Sequence, residues 1–238
     1  MLQTKLSKPY IILEGILLIA LLVFQSILIH RGYPIGDKSS DLWVYIAAIK
    51  VALTAVSLIM VAIAFLIRGD KKLFPLDLLI LYFSFTVTAD IFFSFTTISW
   101  AAHLCFACAY LLFIYIRNGK WYEIFIPLAV GAAIFFALYY GLKMDALMAA
   151  LDAILGSALI YNLILCWIKY GKTKEKRYLW FAIGLSCIFV SDLSIVFYAK
   201  ITNPMALSQA IGMINWPFYV VGNVFIVLNY MREKEQIE

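Results

Sequence analysis

Apolar residues run along this chain in blocks of about twenty, separated by short clusters of charge. A helix needs about 20 apolar residues to cross roughly 30 Å of hydrocarbon. On that rule the pattern predicts eight spans, near residues 10–29, 43–67, 74–95, 98–116, 122–142, 145–168, 178–199 and 206–230. Helices are expected because every backbone polar group in hydrocarbon must be satisfied within its own segment. The alternating pattern of a membrane barrel, in strands of about ten residues, does not occur.

Two boundaries follow from length and polarity together. Residues 73–116 carry two acids, Asp77 and Asp90, and no Lys or Arg. A single helix of that length would be about 66 Å long, so the chain folds back, with Thr96-Thr97-Ile98-Ser99 as the polar break. Residues 121–168 are also too long for one crossing, and Gly141-Leu142-Lys143-Met144-Asp145 divides them. The first span follows Lys5 and Lys8 and so resembles a signal sequence. Its apolar stretch exceeds a typical h-region and no small-residue cleavage site follows, so a retained span is expected.

The basic residues then set an orientation. One side receives Lys5, Lys8, Arg68, Lys71, Lys72, Arg117, Lys120, Lys169, Lys172, Lys174, Lys176, Arg177, Arg232 and Lys234. The other receives Arg31, Lys38, Lys143 and Lys200, while Lys50 falls inside a helix. By the positive-inside rule both termini are expected to be cytoplasmic. The loops are too short for a soluble domain, so residues 1–238 are expected to form a single integral membrane domain, an all-α, polytopic bundle of eight transmembrane helices.

Composition narrows the class further. The chain is 65% apolar and 14% charged, with 19 Lys and Arg against 14 Asp and Glu. Its mean hydropathy is +0.94. A soluble domain is about 45–50% apolar and about 25% charged, so a soluble globule, a disordered chain and a disulfide scaffold are excluded. The net charge of +5 reads as topological. No basic run interleaves with aromatics on a polar face, so no nucleic-acid partner is expected. Cys105, Cys108, Cys166 and Cys187 lie within spans and read as small apolar residues. Cys105, Cys108 and His103 on one helix supply too few converging ligands for a tetrahedral site, so no metal and no cofactor are expected.

Ionisable groups inside the spans are the first candidates for chemistry, since each costs at least about 2.5–3.5 kcal/mol at mid-bilayer. They are Glu14, Lys50, Asp90, Asp152 and Asp192, with His103 as a further titratable group. Counting helical rise from the span ends puts Lys50, Asp152 and Asp192 about 10 Å deep, and Asp90 and His103 about 7 Å deep. All five fall in one layer towards the non-cytoplasmic face, whereas Glu14 lies towards the other. The expectation is a polar pocket in the outer third, holding Lys50, Asp90 and Asp192. One Lys cannot pair with three Asp one-to-one, and the surplus acid raises a carboxyl pKa, as functional sites do. A buried structural ion pair is the plainer alternative.

Residues 87–95 (Val-Thr-Ala-Asp-Ile-Phe-Phe-Ser-Phe) resemble residues 189–197 (Phe-Val-Ser-Asp-Leu-Ser-Ile-Val-Phe). The two stretches sit four spans apart, compatible with a parallel 4+4 repeat. Trp43, Trp100, Trp121 and Trp216 lie near span ends, where interfacial anchoring is the default. Tyr161, Asn162, Tyr219 and Asn223 lie within spans and read as interhelical glue; Tyr219 and Asn223 share a helix face.

These residues resemble the YhhN family, the lysoplasmalogenase-like eight-span proteins. That family carries Lys-Pro-Leu in its second helix, matched loosely by Lys50-Val51-Ala52-Leu53-Thr54. Its third-helix Gly-Asp is matched by Ala89-Asp90, its seventh-helix Ser-Asp by Ser191-Asp192, and its Tyr-rich, amide-bearing last helix by residues 218–223. The fourth helix departs from the pattern: the family histidine falls at Tyr110, and His103 lies two turns earlier.

The resemblance implies hydrolysis of the vinyl ether bond of a lysoplasmalogen, with a lysophospholipid or ether lipid as substrate and membrane lipids as surroundings. Asp90 and Asp192 would form the acid/base pair, two carboxyls with separated pKa values. Lys50 would hold one carboxylate ionised or bind phosphate. Tyr110, Tyr219, Asn223, Asp152 and His103 are the further substrate-binding or electrostatic candidates. Competing readings are a small-solute transporter, against which stand the off-centre acids and unbroken spans, and a non-catalytic lipid-binding or sensing protein. A retinal protein is excluded, because the last span carries no Lys.

Overall fold

The computed structural model describes residues 2–68, 74–200 and 205–232. Lys71, Lys72 and Lys234, counted above among the loop cations, lie outside the described residues. The described chain is helical and contains no strand. Its helices are α1 (Leu2–His30), α2 (Trp43–Arg68), α3 (Phe74–Phe95), α4 (Ser99–Ile116), α5 (Phe125–Phe136), α6 (Ala146–Thr173), α7 (Lys176–Lys200) and α8 (Met205–Arg232). A 3-10 turn (Trp121–Ile124) precedes α5 and a π turn (Ala137–Gly141) extends it. Counting α5 with both turns, eight helical segments among the described residues are long and apolar enough to cross a membrane. The chain is an integral, multi-pass membrane protein.

The breaks between helices have local causes. Thr96 folds its hydroxyl back onto the Phe92 carbonyl at 2.8 Å and accepts the Ile98 N–H at 3.1 Å, ending α3. α4 ends where Asn118 takes a left-handed conformation (φ 61°) and the Gly119 N–H reaches the Ile114 carbonyl at 2.7 Å. A Cβ at Gly119 would sit 2.4 Å from that carbonyl oxygen, so only glycine fits there. Asp145 caps α6, its carboxylate accepting the Leu147 and Met148 N–H groups at 3.0 and 3.2 Å.

The helices pack as two compact units. The first comprises Met1–Ser57 and Ile183–Glu238, the second Leu58–Ala182. In chain order the second unit is therefore inserted into the first, and the boundaries fall within α2 and α7. In the first unit α1 packs on α8. α7 and α8 cross at glycine: a Cβ on Gly222 would meet the Gly184 carbonyl oxygen at 2.8 Å and Ile188 Cγ1 at 2.7 Å. Lipid tails are as apolar as leucine, so helices in membranes associate through such close backbone approach.

In the second unit α4 packs on α3 and α6, and α6 on α5. Here too a glycine marks a crossing, with a Cβ on Gly131 falling 3.1 Å from Ser157 Oγ and 3.3 Å from the Ala153 carbonyl oxygen. Its core is aromatic, with Tyr82, Tyr110 and Phe181 each in ring contact with Phe113 at 4.6–5.6 Å. The outward residues are also large and apolar, among them Ile12, Ile16, Ile19, Leu66, Ile126, Ile164 and Val196. Water would penalise that arrangement and hydrocarbon does not.

Candidate functional site

The sequence-predicted residues divide between the units. Lys50, Asp192, Tyr219 and Asn223 belong to the first, and Asp90, His103, Tyr110 and Asp152 to the second.

In the first unit Lys50 is held by indoles. Trp43 stands seven residues earlier on α2, two turns along the same face. Lys50 Nζ lies 5.1 Å from the Trp43 ring and 5.1 Å from the Trp216 ring of α8. Both indoles are buried, and Trp216 meets the buried Tyr219 edge-on at 5.3 Å. This cation–π arrangement stabilises a half-buried ammonium by about 0.5–2 kcal/mol per ring. Trp43 and Trp216, which read from sequence as interfacial anchors, thus form part of the Lys50 environment. On α7, the Ser191 hydroxyl bonds to the Asn215 amide oxygen of α8. That contact ties α8 to the residue preceding Asp192, which is itself partly buried. Asn223 is buried one turn beyond Tyr219.

Glu14 also lies in the first unit and is 2% exposed. Its carboxylate accepts the Ser57 hydroxyl at 2.9 Å, and Ser57 Oγ lies 2.9 Å from Tyr10 Oη. Sequence singled out the acid, but not the two hydroxyls that satisfy it. Gln25, on the same face of α1 three turns on, is fully buried, and neither amide atom is hydrogen-bonded among the described residues.

The second unit holds the closest pairing of predicted residues. His103 is the fifth residue of α4 and Asp152 the seventh of α6. Their Nδ1 and Oδ1 atoms are 2.5 Å apart. The imidazole also meets the Phe93 ring edge-on at 5.0 Å. Both side chains retain some exposure, 21% and 29%. A carboxylate on Nδ1 fixes the imidazole ring and leaves Nε2 to handle a proton. Asp90, on α3, is buried.

Tyr110, which stands where the family histidine would fall, is 1% exposed and stacks on Phe113 at 5.6 Å. Its environment is that of a core residue.

The far end of the same unit holds a second polar cluster. The Arg117 side chain is 1% exposed. Its Nε donates to Asn162 Oδ1 at 2.8 Å, and its guanidinium pairs with Glu123 and lies 5.3 Å from the Tyr161 ring. Glu123 further accepts the Lys120 N–H at 2.8 Å and the Tyr161 hydroxyl at 3.1 Å. From sequence, Arg117 counts as a loop cation; in the structure it forms a largely buried ion pair with Glu123.

No family model, curated protein or solved structure matches this chain.

Proposed function

We propose that the chain is a membrane hydrolase of the lysoplasmalogenase type, cleaving the vinyl ether bond of lysoplasmalogen-like lipids, with both termini cytoplasmic. The observation that carries this reading is the His103–Asp152 pair, 2.5 Å apart and partly exposed within a membrane-spanning unit. Lone ionisable groups are costly in hydrocarbon, whereas a carboxylate-oriented imidazole is a ready general base.

Vinyl ether hydrolysis consumes one water. A proton adds to the distal alkene carbon and leaves an oxocarbenium ion. Water adds to the cationic carbon and loses a proton. The resulting hemiacetal breaks its bond to the glycerol oxygen, releasing fatty aldehyde and glycerophospho-alcohol. In this reading His103 takes the proton from water, and Asp152 orients the imidazole and stabilises its protonated form. The resemblance implies an acid/base role for Asp90 and Asp192 together, of which one would donate the proton, and an electrostatic role for Lys50.

The test is turnover. Purified protein supplied with lysoplasmalogen should release fatty aldehyde, and Asp90→Asn or Asp192→Asn should abolish it. A folded wild-type protein that turns over none of several lysolipids would remove the hydrolase reading. The second reading, a lipid-binding or sensing protein without chemistry, is favoured by the buried Tyr110 in the family histidine's place. It predicts saturable lysolipid binding with no aldehyde.

A further inference from the structure

The Arg117 end of the second unit carries more positive charge than its own acids neutralise. Glu123 is committed to Arg117, Tyr161 and the Lys120 backbone. Glu175 pairs with Arg177 at 2.6 Å. Lys169 forms no salt bridge among the described residues: its Nζ donates to the Arg117 carbonyl at 3.4 Å and stands 5.2 Å from the Tyr178 ring. Arg177 lies over the same ring at 4.6 Å and donates to the Tyr178 hydroxyl at 3.0 Å. One buried tyrosine therefore gathers two cations from α6 and α7. Lys120, Lys172, Lys174 and Lys176 extend the positive field around them.

Lys169 and Arg177 repel across one ring; Glu175 neutralises only the Arg177 charge, and cation–π contacts offset only part of the remaining cost. A phosphate relieves it, because its oxygens accept from an ammonium and a guanidinium together. The cluster lies where α4 ends and α7 begins, at the ends of spanning helices, which is head-group depth for lipid. Basic pockets between spanning helices at that depth bind anionic head groups. We infer that Lys169 and Arg177, on the Tyr178 platform, form a binding site for the phosphate of an anionic phospholipid. The site lies at the opposite end of the unit from His103 and does not depend on the hydrolase reading.

The experiment uses the full chain in nanodiscs of mixed phosphatidylglycerol and phosphatidylcholine, with native mass spectrometry counting retained lipid. The wild type should retain phosphatidylglycerol selectively. Lys169→Gln and Arg177→Gln should each weaken that retention roughly fivefold, the effect of one cation at a membrane surface. A control carrying Arg31→Gln and Lys143→Gln removes two cations elsewhere and should bind as wild type. Size-exclusion profiles and circular dichroism verify folding, and Arg177→Lys, which keeps the charge, should retain most binding if a variant proves unstable. Equal retention of both lipids, or equal loss in the control, would overturn the site. So would glycerol 3-phosphate binding saturably at the same residues with no lipid selectivity, since the ligand would then be soluble.

Discussion

His103 Nδ1 meets Asp152 Oδ1 at 2.5 Å, joining the fifth residue of α4 to the seventh of α6. The contact ties two helices and fixes one imidazole nitrogen. If the pair carries base catalysis, His103→Ala should lower kcat by about 10²–10⁴-fold, the usual worth of a positioned general base. Asp152→Asn should lower kcat with little change in KM, because it keeps the shape and loses the orienting charge. A purely structural pair would instead show as lost thermal stability with kcat per folded molecule unchanged.

Lys50 provides a second separation of chemistry from stability. Lys50→Met keeps the stem and removes the charge, losing cation–π contact to Trp43 and Trp216 worth about 0.5–2 kcal/mol each. Removing a cation from hydrocarbon also relieves about 2.5–3.5 kcal/mol of insertion cost. The two effects oppose, so the melting temperature should move by only a few degrees. Turnover should nevertheless fall if Lys50 serves the substrate or a carboxylate. Thermal melts and kinetics on the same preparation decide this.

Arg117 predicts the reverse. Arg117→Ala leaves Glu123 and Asn162 without their buried partner and should destabilise the protein by roughly 3–5 kcal/mol. Arg117→Lys cannot reproduce the two-pronged contact to Asn162 and Glu123 and should recover only part of the loss. Denaturation in mild detergent reads both. An Arg117→Ala variant as stable as wild type would mean that the cluster does not hold α4 to α6.

The α7–α8 crossing tolerates little added volume. Gly222→Ala places a methyl group 2.8 Å from a backbone oxygen and 2.7 Å from Ile188 Cγ1, so the helices must part. A loss of about 1–3 kcal/mol is expected from overpacking. Gly156→Ala, where nothing lies within 4 Å, is the control and should be neutral or slightly stabilising.

Much of this architecture was legible in the residue order because hydrocarbon imposes a one-dimensional rule. Length and polarity alone place eight apolar helices and the Thr96–Ile98 break. Depth counting along two parallel helices also puts His103 and Asp152 at similar heights. Pairings that depend on helix rotation were not legible. Arg117 and Glu123 sit six residues apart, beside a loop where solvation is the default. Only the inward turn of Asn162 and Tyr161 buries them. Trp43 and Trp216 carry the signature of interfacial anchors whether or not a lysine lies between them. Tyr10 and Ser57 are ordinary span residues until α1 and α2 bring their hydroxyls to Glu14.

The most direct measurement compares two lysolipids that differ only at the bond in question. Purified wild-type protein is supplied with a lysoplasmalogen or with its saturated alkyl ether counterpart, and fatty aldehyde is quantified. The hydrolase reading predicts aldehyde from the vinyl ether alone, falling at least a hundredfold in the His103→Ala variant. No aldehyde from folded wild type, or equal release by wild type and His103→Ala, would contradict it.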